Sequence, residues 1–221
     1  MAARTIGGVA GVFVPGWGAV RGLYAGGLPD GWEILDLPRF AETGGALSAY
    51  RRWLAGEVAA RQPPLTLAGH SMGAALAVLA AVERPASIER LILVSPSGLP
   101  LRKPISASLL TFLGQVAHGW YPPAELARAV RGVLRAPRAA LLLARTIHDL
   151  DLTPELKSLR AAGVASSVVG CSTDRLATPD HCRRIAALLG ADYRELDARG
   201  GHIWTIVEPG LLASALAADS H

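Results

Sequence analysis

Leu65-Thr66-Leu67-Ala68-Gly69-His70-Ser71-Met72-Gly73-Ala74-Ala75-Leu76 decides how this chain is read. It opens as a short apolar run of strand formers and closes as an Ala/Leu-rich run with helical spacing. Between them stands Gly69-His70-Ser71-Met72-Gly73, a G-x-S-x-G pattern. The pattern alone is weak, because it arises often by chance. Set between a strand and a helix, it predicts a tight elbow that holds Ser71 in a strained backbone conformation with its hydroxyl at the top of a sheet. Gly69 and Gly73 must be small there, since side chains would meet the elbow and the neighbouring strand.

The chain on either side supplies the sheet. Gly8 to Val14 reads as a buried strand ending at Pro15-Gly16, and Trp32 to Leu37 as a second closed by Pro38. Residues 17–30 suit a loop with at most a short helix. Leu47, Tyr50, Leu54 and Val58 recur at helical spacing and predict a helix to Arg61, before Pro63-Pro64. The elbow helix runs to about Arg84, and Leu91-Ile92-Leu93-Val94 is the next strand. From Pro100 the alternation stops, and helical stretches around 105–118, 123–135 and 137–149 are separated by prolines. It resumes with a helix at 154–162, a strand at 165–170, a helix from Pro179 to Leu189, a strand around Tyr193–Leu196 and a closing helix over 203–218. Apolar strands alternating with helices indicate an α/β fold: an open, mostly parallel sheet of about six strands with helices on both faces. Residues 1–99 and 153–221 form its core, and 100–152 a helical cap insertion over the sheet's carboxyl edge.

Composition narrows the classes. The 221 residues are 51% hydrophobic and 18% charged, a globular balance, with 22 Lys and Arg against 18 Asp and Glu for a net +4. The basic residues are scattered and no cluster interleaves with aromatics, which argues against a nucleic-acid partner. The apolar run after Met1-Ala2-Ala3-Arg4 is short for a secretory leader, and Pro15-Gly16-Trp17-Gly18 is a poor cleavage region. No run reaches the roughly 18 apolar residues of a membrane span. Cys171 and Cys182 fall at a strand end and in a helix, and are expected reduced in a cytoplasmic protein.

A serine hydroxyl is a poor nucleophile at neutral pH, and needs a base to take its proton and an acid to orient that base. In open parallel sheets such groups sit on loops at the carboxyl ends of strands. Asp174 follows the strand ending at Gly170, and His202 follows the strand ending near Leu196, behind Gly200-Gly201 that suit an open, mobile loop. The order Ser71, Asp174, His202 is the one expected when an elbow serine comes first. Other residues have plainer explanations. His70 is beside Ser71 but points away from it. His118 and His148 fall in the insertion, His181 starts a helix, and His221 ends the chain. Asp151 precedes Thr-Pro as a helix cap and Asp180 sits in a first helical turn, while Asp149 stands beside that cap and Asp197 is close in sequence to His202. Two backbone donors for an oxyanion are expected at the N–H groups of Met72, opening the elbow helix, and of Trp17, in the loop after the first strand. The Trp17 ring itself suits a core or pocket wall.

On these residues the chain resembles the α/β-hydrolase superfamily, in particular small esterase-like members with a helical cap. The resemblance rests on Pro15-Gly16-Trp17-Gly18, the elbow, Ser172-Thr173-Asp174-Arg175-Leu176-Ala177-Thr178-Pro179 and Gly201-His202, and covers nearly the whole chain. It implies a serine hydrolase acting without a cofactor or metal on a small-molecule carboxylic ester or thioester, with Ser71, Asp174 and His202 catalytic. Pro15 stands where the family usually has His, and the usual N-terminal hairpin is missing. Serine at the elbow separates the chain from branches with aspartate there.

Two other readings exist. Gly16, Gly18, Gly22 and Asp36 imitate a dinucleotide-binding fingerprint, although Gly22 falls one position late and little room remains for the helix. The same fold also serves as a small-molecule receptor with little turnover. In the insertion, Leu109, Leu110, Phe112, Leu113, Val116, Leu134, Leu141 and Leu142 suit either an apolar substrate pocket or packing onto the sheet. Arg135, Arg138 and Arg145 suit a solvated face, or recognition of a carboxylate or phosphopantetheine group.

Overall fold

A computed structural model describes residues 10–117, 119 and 121–218. His118 and His221 lie outside the described residues, as do Gly8 and Val9 of the predicted first strand. In chain order the elements are β1 (Gly11–Val14), β2 (Trp32–Ile34), α1 (Phe40–Thr43), α2 (Leu47–Ala59), β3 (Leu65–His70), α3 (Met72–Glu83) and β4 (Ile88–Val94). After these come α4 (Ile105–Ala117), α5 (Pro123–Arg135), α6 (Pro137–His148), α7 (Thr153–Ala161), β5 (Ala165–Cys171), α8 (Pro179–Leu189), β6 (Asp192–Leu196), α9 (Trp204–Val207) and α10 (Pro209–Ala218). The six strands form one sheet in the order β2-β1-β3-β4-β5-β6, and every pairing is parallel.

The strands read as continuous apolar runs because both faces are covered. Val12, Val14, Leu91, Leu93 and Val168 join the core under α2, α3, α7 and α8. Their neighbours Phe13, Ile92, Val94, Val169 and Cys171 point to the other face, against Tyr24, Trp204, Leu212 and Leu216. The period-2 alternation of a strand therefore divides one apolar sequence between two cores. Cys171 packs on the second face and Cys182 on the first, so both are buried free thiols separated by the sheet.

Strand order reverses between β1 and β3: β2 lies outward of β1, and all later strands extend the other way. Val14 pairs with Gly69, His70 with Val94, and Val94 with Val169, so the carboxyl ends lie level. The crevice at such a reversal is where open α/β sheets bind ligands.

Several expectations shift. β2 stops at Ile34 rather than Leu37, and a short helix, α1, follows Pro38. The closing helix is three pieces, a 3-10 turn at Gly201–Ile203, α9 and α10. Pro209 has no N–H to continue the ladder from α9, and so it starts a new helix. The dinucleotide reading falls because β1 leads into a loop whose one helical turn among the described residues is the 3-10 turn at Arg21–Leu23, so no α-helix starts behind those glycines. Gly16 instead approaches the elbow, and Asp36 pairs with Arg21 at the surface.

Candidate active site

Ser71 joins β3 to α3 at φ 55° and ψ −117°, and only Ser95 (φ 40°) shares a positive φ among described non-glycine residues. Such a conformation costs on the order of 1–3 kcal/mol and persists only where the surroundings impose it. Here they do. The Ser71 N–H donates to Val94 O at 3.0 Å, while Ser71 O accepts from Ala74, Ala75 and Ser97. A Cβ on Gly69 would stand 2.4 Å from the Gly73 carbonyl, and one on Gly73 would stand 2.0 Å from Val14 O. No side chain fits at either position, and this is why the elbow has glycine on both flanks.

Ser71, His202 and Asp174 meet in one buried row. His202 Nε2 is 2.8 Å from Ser71 Oγ, and His202 Nδ1 is 2.8 Å from Asp174 Oδ2. The other carboxylate oxygen accepts the N–H groups of Leu176 (2.8 Å) and Ala177 (3.0 Å), so the turn after β5 fixes the carboxylate with its own backbone. Nδ1 faces a carboxylate, so it carries the ring proton, and Nε2 is left as an acceptor for the Ser71 hydroxyl.

The His202 loop is packed, contrary to the open loop expected. Gly200 and Gly201 are needed for φ of 92° and 59°, and Cβ atoms there would meet Val207 and Gln115. His202 is buried, its N–H donates to Gln115 Oε1 on α4 at 3.1 Å, and the nearby Trp204 donates through Nε1 to Ser95 Oγ at 3.1 Å.

His70 points away from Ser71, as expected, but it is far from idle. Its Nε2 lies 2.9 Å from the His202 carbonyl, which can only accept, so Nε2 carries the proton. Nδ1 then accepts from the Tyr24 hydroxyl at 2.8 Å, and Tyr24 Oη accepts the Gly16 N–H at 3.3 Å. Burial, reinforced by His202, holds the His70 pKa down to about 3, so the ring is neutral. The loop after β1 and the loop carrying His202 are thereby tied together behind the serine. Neither Tyr24 nor Gln115 stood out in the sequence, because a tyrosine in a loop and a glutamine in an amphipathic helix carry no pattern.

The loop after β1 lies against the elbow: a Cβ on Gly16 would be 3.1 Å from His70 Nδ1 and 3.5 Å from Ser71 Cβ. Trp17 follows it, and its ring packs on Phe40 and Phe112 and donates through Nε1 to Ala140 O on α6 at 3.1 Å. Met72 is the first residue of α3, where a helix has N–H groups without intrahelical acceptors. Above Ser71 opens a cavity of about 340 Å³ with an almost wholly apolar wall, including Leu99, Leu109, Phe112, Val116, Val133 and Ile206. Ser108 Oγ, Tyr121 Oη and His181 Nε2 are buried in that wall without a partner among the described residues. Of the leucines left open between two roles, Leu109, Leu113 and Leu134 line the cavity, whereas Leu110, Leu141 and Leu142 do neither and face solvent.

Among the remaining candidates, Asp151 Oδ1 accepts the Thr153 N–H at 2.9 Å, as a cap does. Asp149 pairs with His148, whose ring lines the cavity, and Asp197 accepts from Ser172. His181 lies beneath the cavity, and burial lowers its pKa to about 4. Among the described residues no group of three or more His, Cys, Asp or Glu is placed to hold a metal ion.

A sheet that reverses at β1/β3, with a strained serine at that crevice, defines a hydrolase of the α/β type. A model described as the Alpha/beta hydrolase family matches residues 12–215, and the chain belongs to that family. It is 52% identical over 50 residues to a monoglyceride lipase of Rattus norvegicus, a match covering 23% of this chain and 16% of that protein. Among solved structures it is similar to an esterase of Exiguobacterium antarcticum (TM-score 0.74, 14% identity, 96% of this chain and 92% of that one). An enol-lactonase of Burkholderia xenovorans aligns at TM-score 0.72 and 19% identity, over 96% of this chain and 92% of the other. No helix among the described residues is long and apolar enough to cross a membrane.

Proposed function

We propose that the protein is a serine hydrolase that cleaves a carboxylic ester, or a thioester, through an acyl-enzyme. The single observation behind this reading is the row from Asp174 through His202 to Ser71, with both links at 2.8 Å. His202 takes the Ser71 proton as Oγ attacks the acyl carbon. Asp174, held by two backbone N–H groups, keeps the imidazole in the tautomer that accepts at Nε2 and stabilises it once charged. The N–H groups of Met72 and Trp17 receive the negative charge that develops on the carbonyl oxygen. His202 then returns its proton to the departing alcohol or thiol. A water, deprotonated by the same imidazole, releases the acid and restores Ser71.

The apolar cavity supports an acyl group of hydrocarbon character, which loses water on entry and needs no charged partner. The insertion α4–α6 acts as a cap, since it supplies much of that wall and holds the His202 N–H through Gln115.

The test is hydrolysis of p-nitrophenyl esters of increasing chain length by the parent chain and by Ser71→Ala, with fluorophosphonate labelling alongside. Turnover and labelling that vanish with Ser71→Ala are expected. A parent chain that neither turns over nor labels overturns the reading in favour of a receptor on this fold.

A further inference from the structure

The large apolar side chains exposed among the described residues are Leu110, Leu113, Val130, Leu134, Leu141 and Leu142, and all stand on α4, α5 and α6. Leu110 and Leu134 are each 70% exposed, while Leu113, Val130 and Leu134 also line the cavity, so the patch runs into its mouth. Helix α5 buries none of its residues. A surface of this kind is not the ordinary scatter of single exposed leucines.

Charge is divided in the same way. Residues 100–152 hold seven of the 22 basic residues and three of the 18 acidic ones, which leaves fifteen of each in the rest of the chain. The whole net charge of +4 therefore sits in the segment that bears the apolar patch. Arg131, Arg135, Arg138 and Arg145 are exposed, and none has a carboxylate within ion-pair distance among the described residues. They share faces with the leucines: Arg131, Leu134 and Arg135 follow at i, i+3 and i+4 on α5, and Arg138, Leu142 and Arg145 at i, i+4 and i+7 on α6.

We propose that this face docks on an anionic lipid surface. Leucines that enter the acyl boundary beside arginines that reach phosphate head groups are the two halves of an interfacial helix, and here they alternate on neighbouring helices. A second copy of the chain fits poorly, because a two-fold contact would set this unpaired arginine surface against itself. A protein partner would be expected to meet aromatic anchors, and the exposed apolar side chains are all aliphatic. Docking in this orientation turns the cavity mouth toward the lipid. It requires no turnover, and so stands or falls apart from the acyl chemistry.

Flotation of the full chain carrying Ser71→Ala, with vesicles of pure phosphatidylcholine and with vesicles containing phosphatidylglycerol, tests the proposal. The protein is expected to float with the phosphatidylglycerol vesicles only, and to be released as salt rises from about 50 to about 500 mM. Reversal of three charges (Arg131→Glu, Arg135→Glu, Arg138→Glu) is expected to lower partitioning by on the order of a hundredfold or more. The pair Leu110→Ser and Leu142→Ser, outside the cavity wall, is expected to lower it at least tenfold with an unchanged melting temperature. Absence of flotation on anionic vesicles, or flotation that survives the charge reversals, overturns the proposal. So does a dimer by light scattering that Leu110→Ser with Leu142→Ser converts to monomer while the parent chain ignores vesicles.

Discussion

Helices α3 and α5 are of similar length and each carries an internal glycine, yet they are built on opposite terms. In α3 every residue from Met72 to Ala81 is buried, so the helix is apolar all round and touches protein on every side. In α5 no residue is buried, and leucine and arginine share the outward face. A Cβ on Gly73 would strike Val14 O at 2.0 Å, whereas one on Gly132 would meet nothing within 4 Å. The difference separates the part of the molecule that fixes chemistry from the part that meets the surroundings. Around the elbow, geometry is imposed by backbone contacts that admit no alternative. Along α5, side chains are free to answer to something outside the chain.

The largest effects are expected where that imposed geometry is broken. Ser71→Ala removes the oxygen proposed to attack, and ester turnover is expected to fall by at least about ten-thousandfold. Asp174→Asn leaves the fold intact but favours the wrong histidine tautomer, for a loss of the same order in kcat. Gly73→Ala is expected to cost more than about 4 kcal/mol, read as loss of soluble protein or collapse of the denaturant midpoint. His70→Ala acts through its neighbours: kcat on a short ester is expected to drop on the order of ten- to a hundredfold with KM little changed, and Tyr24→Phe by less. An unchanged kcat in both variants would show that the tie between the two loops is dispensable.

Acid sharpens the comparison from another side. Burial lowers the pKa of His181 from 6.5 to about 4, and that of His70 further, so the folded state resists protons that the unfolded chain accepts. Their contribution is complete above pH 6.5 and is lost as pH falls toward 4 for His181 and toward 3 for His70, a drop on the order of a few kcal/mol. Urea midpoints measured across that window are expected to decline less steeply for His181→Gln than for the parent chain. The smallest effect has the opposite sign. Gly132→Ala fills open space on a helix and is expected to stabilise by about 1 kcal/mol, read as a small rise in melting temperature.

The strained turn at Ser71 and the meeting of Asp174 and His202 beside it were legible because their signals are local: glycines at fixed spacing, and loops that follow apolar runs. Helices α4, α5 and α6 were legible within a residue or two because prolines punctuate them. What the sequence withheld depends on contacts across the fold. That His70 points away from Ser71 could be read, but not what it ties together, since its partners Tyr24 and His202 are 46 and 132 residues away. Gly200 and Gly201 looked like freedom and are instead two positive φ angles under α4 and α9. Leu110, Leu141 and Leu142 fit a helix pattern whichever way they face, so only the folded chain shows that they face outward.

The apolar character of α3 on every side carries a consequence for the chain outside its folded state. With β3 before it, the segment from Leu65 to Val82 contains no acidic or basic side chain other than His70. An unfolded or newly made chain therefore offers a long uncharged stretch to any similar stretch it meets. Heat denaturation of this protein is expected to end in aggregates that do not redissolve, with an apparent melting point that moves with scan rate. Its lifetime at elevated temperature will be governed by how fast that helix is first uncovered.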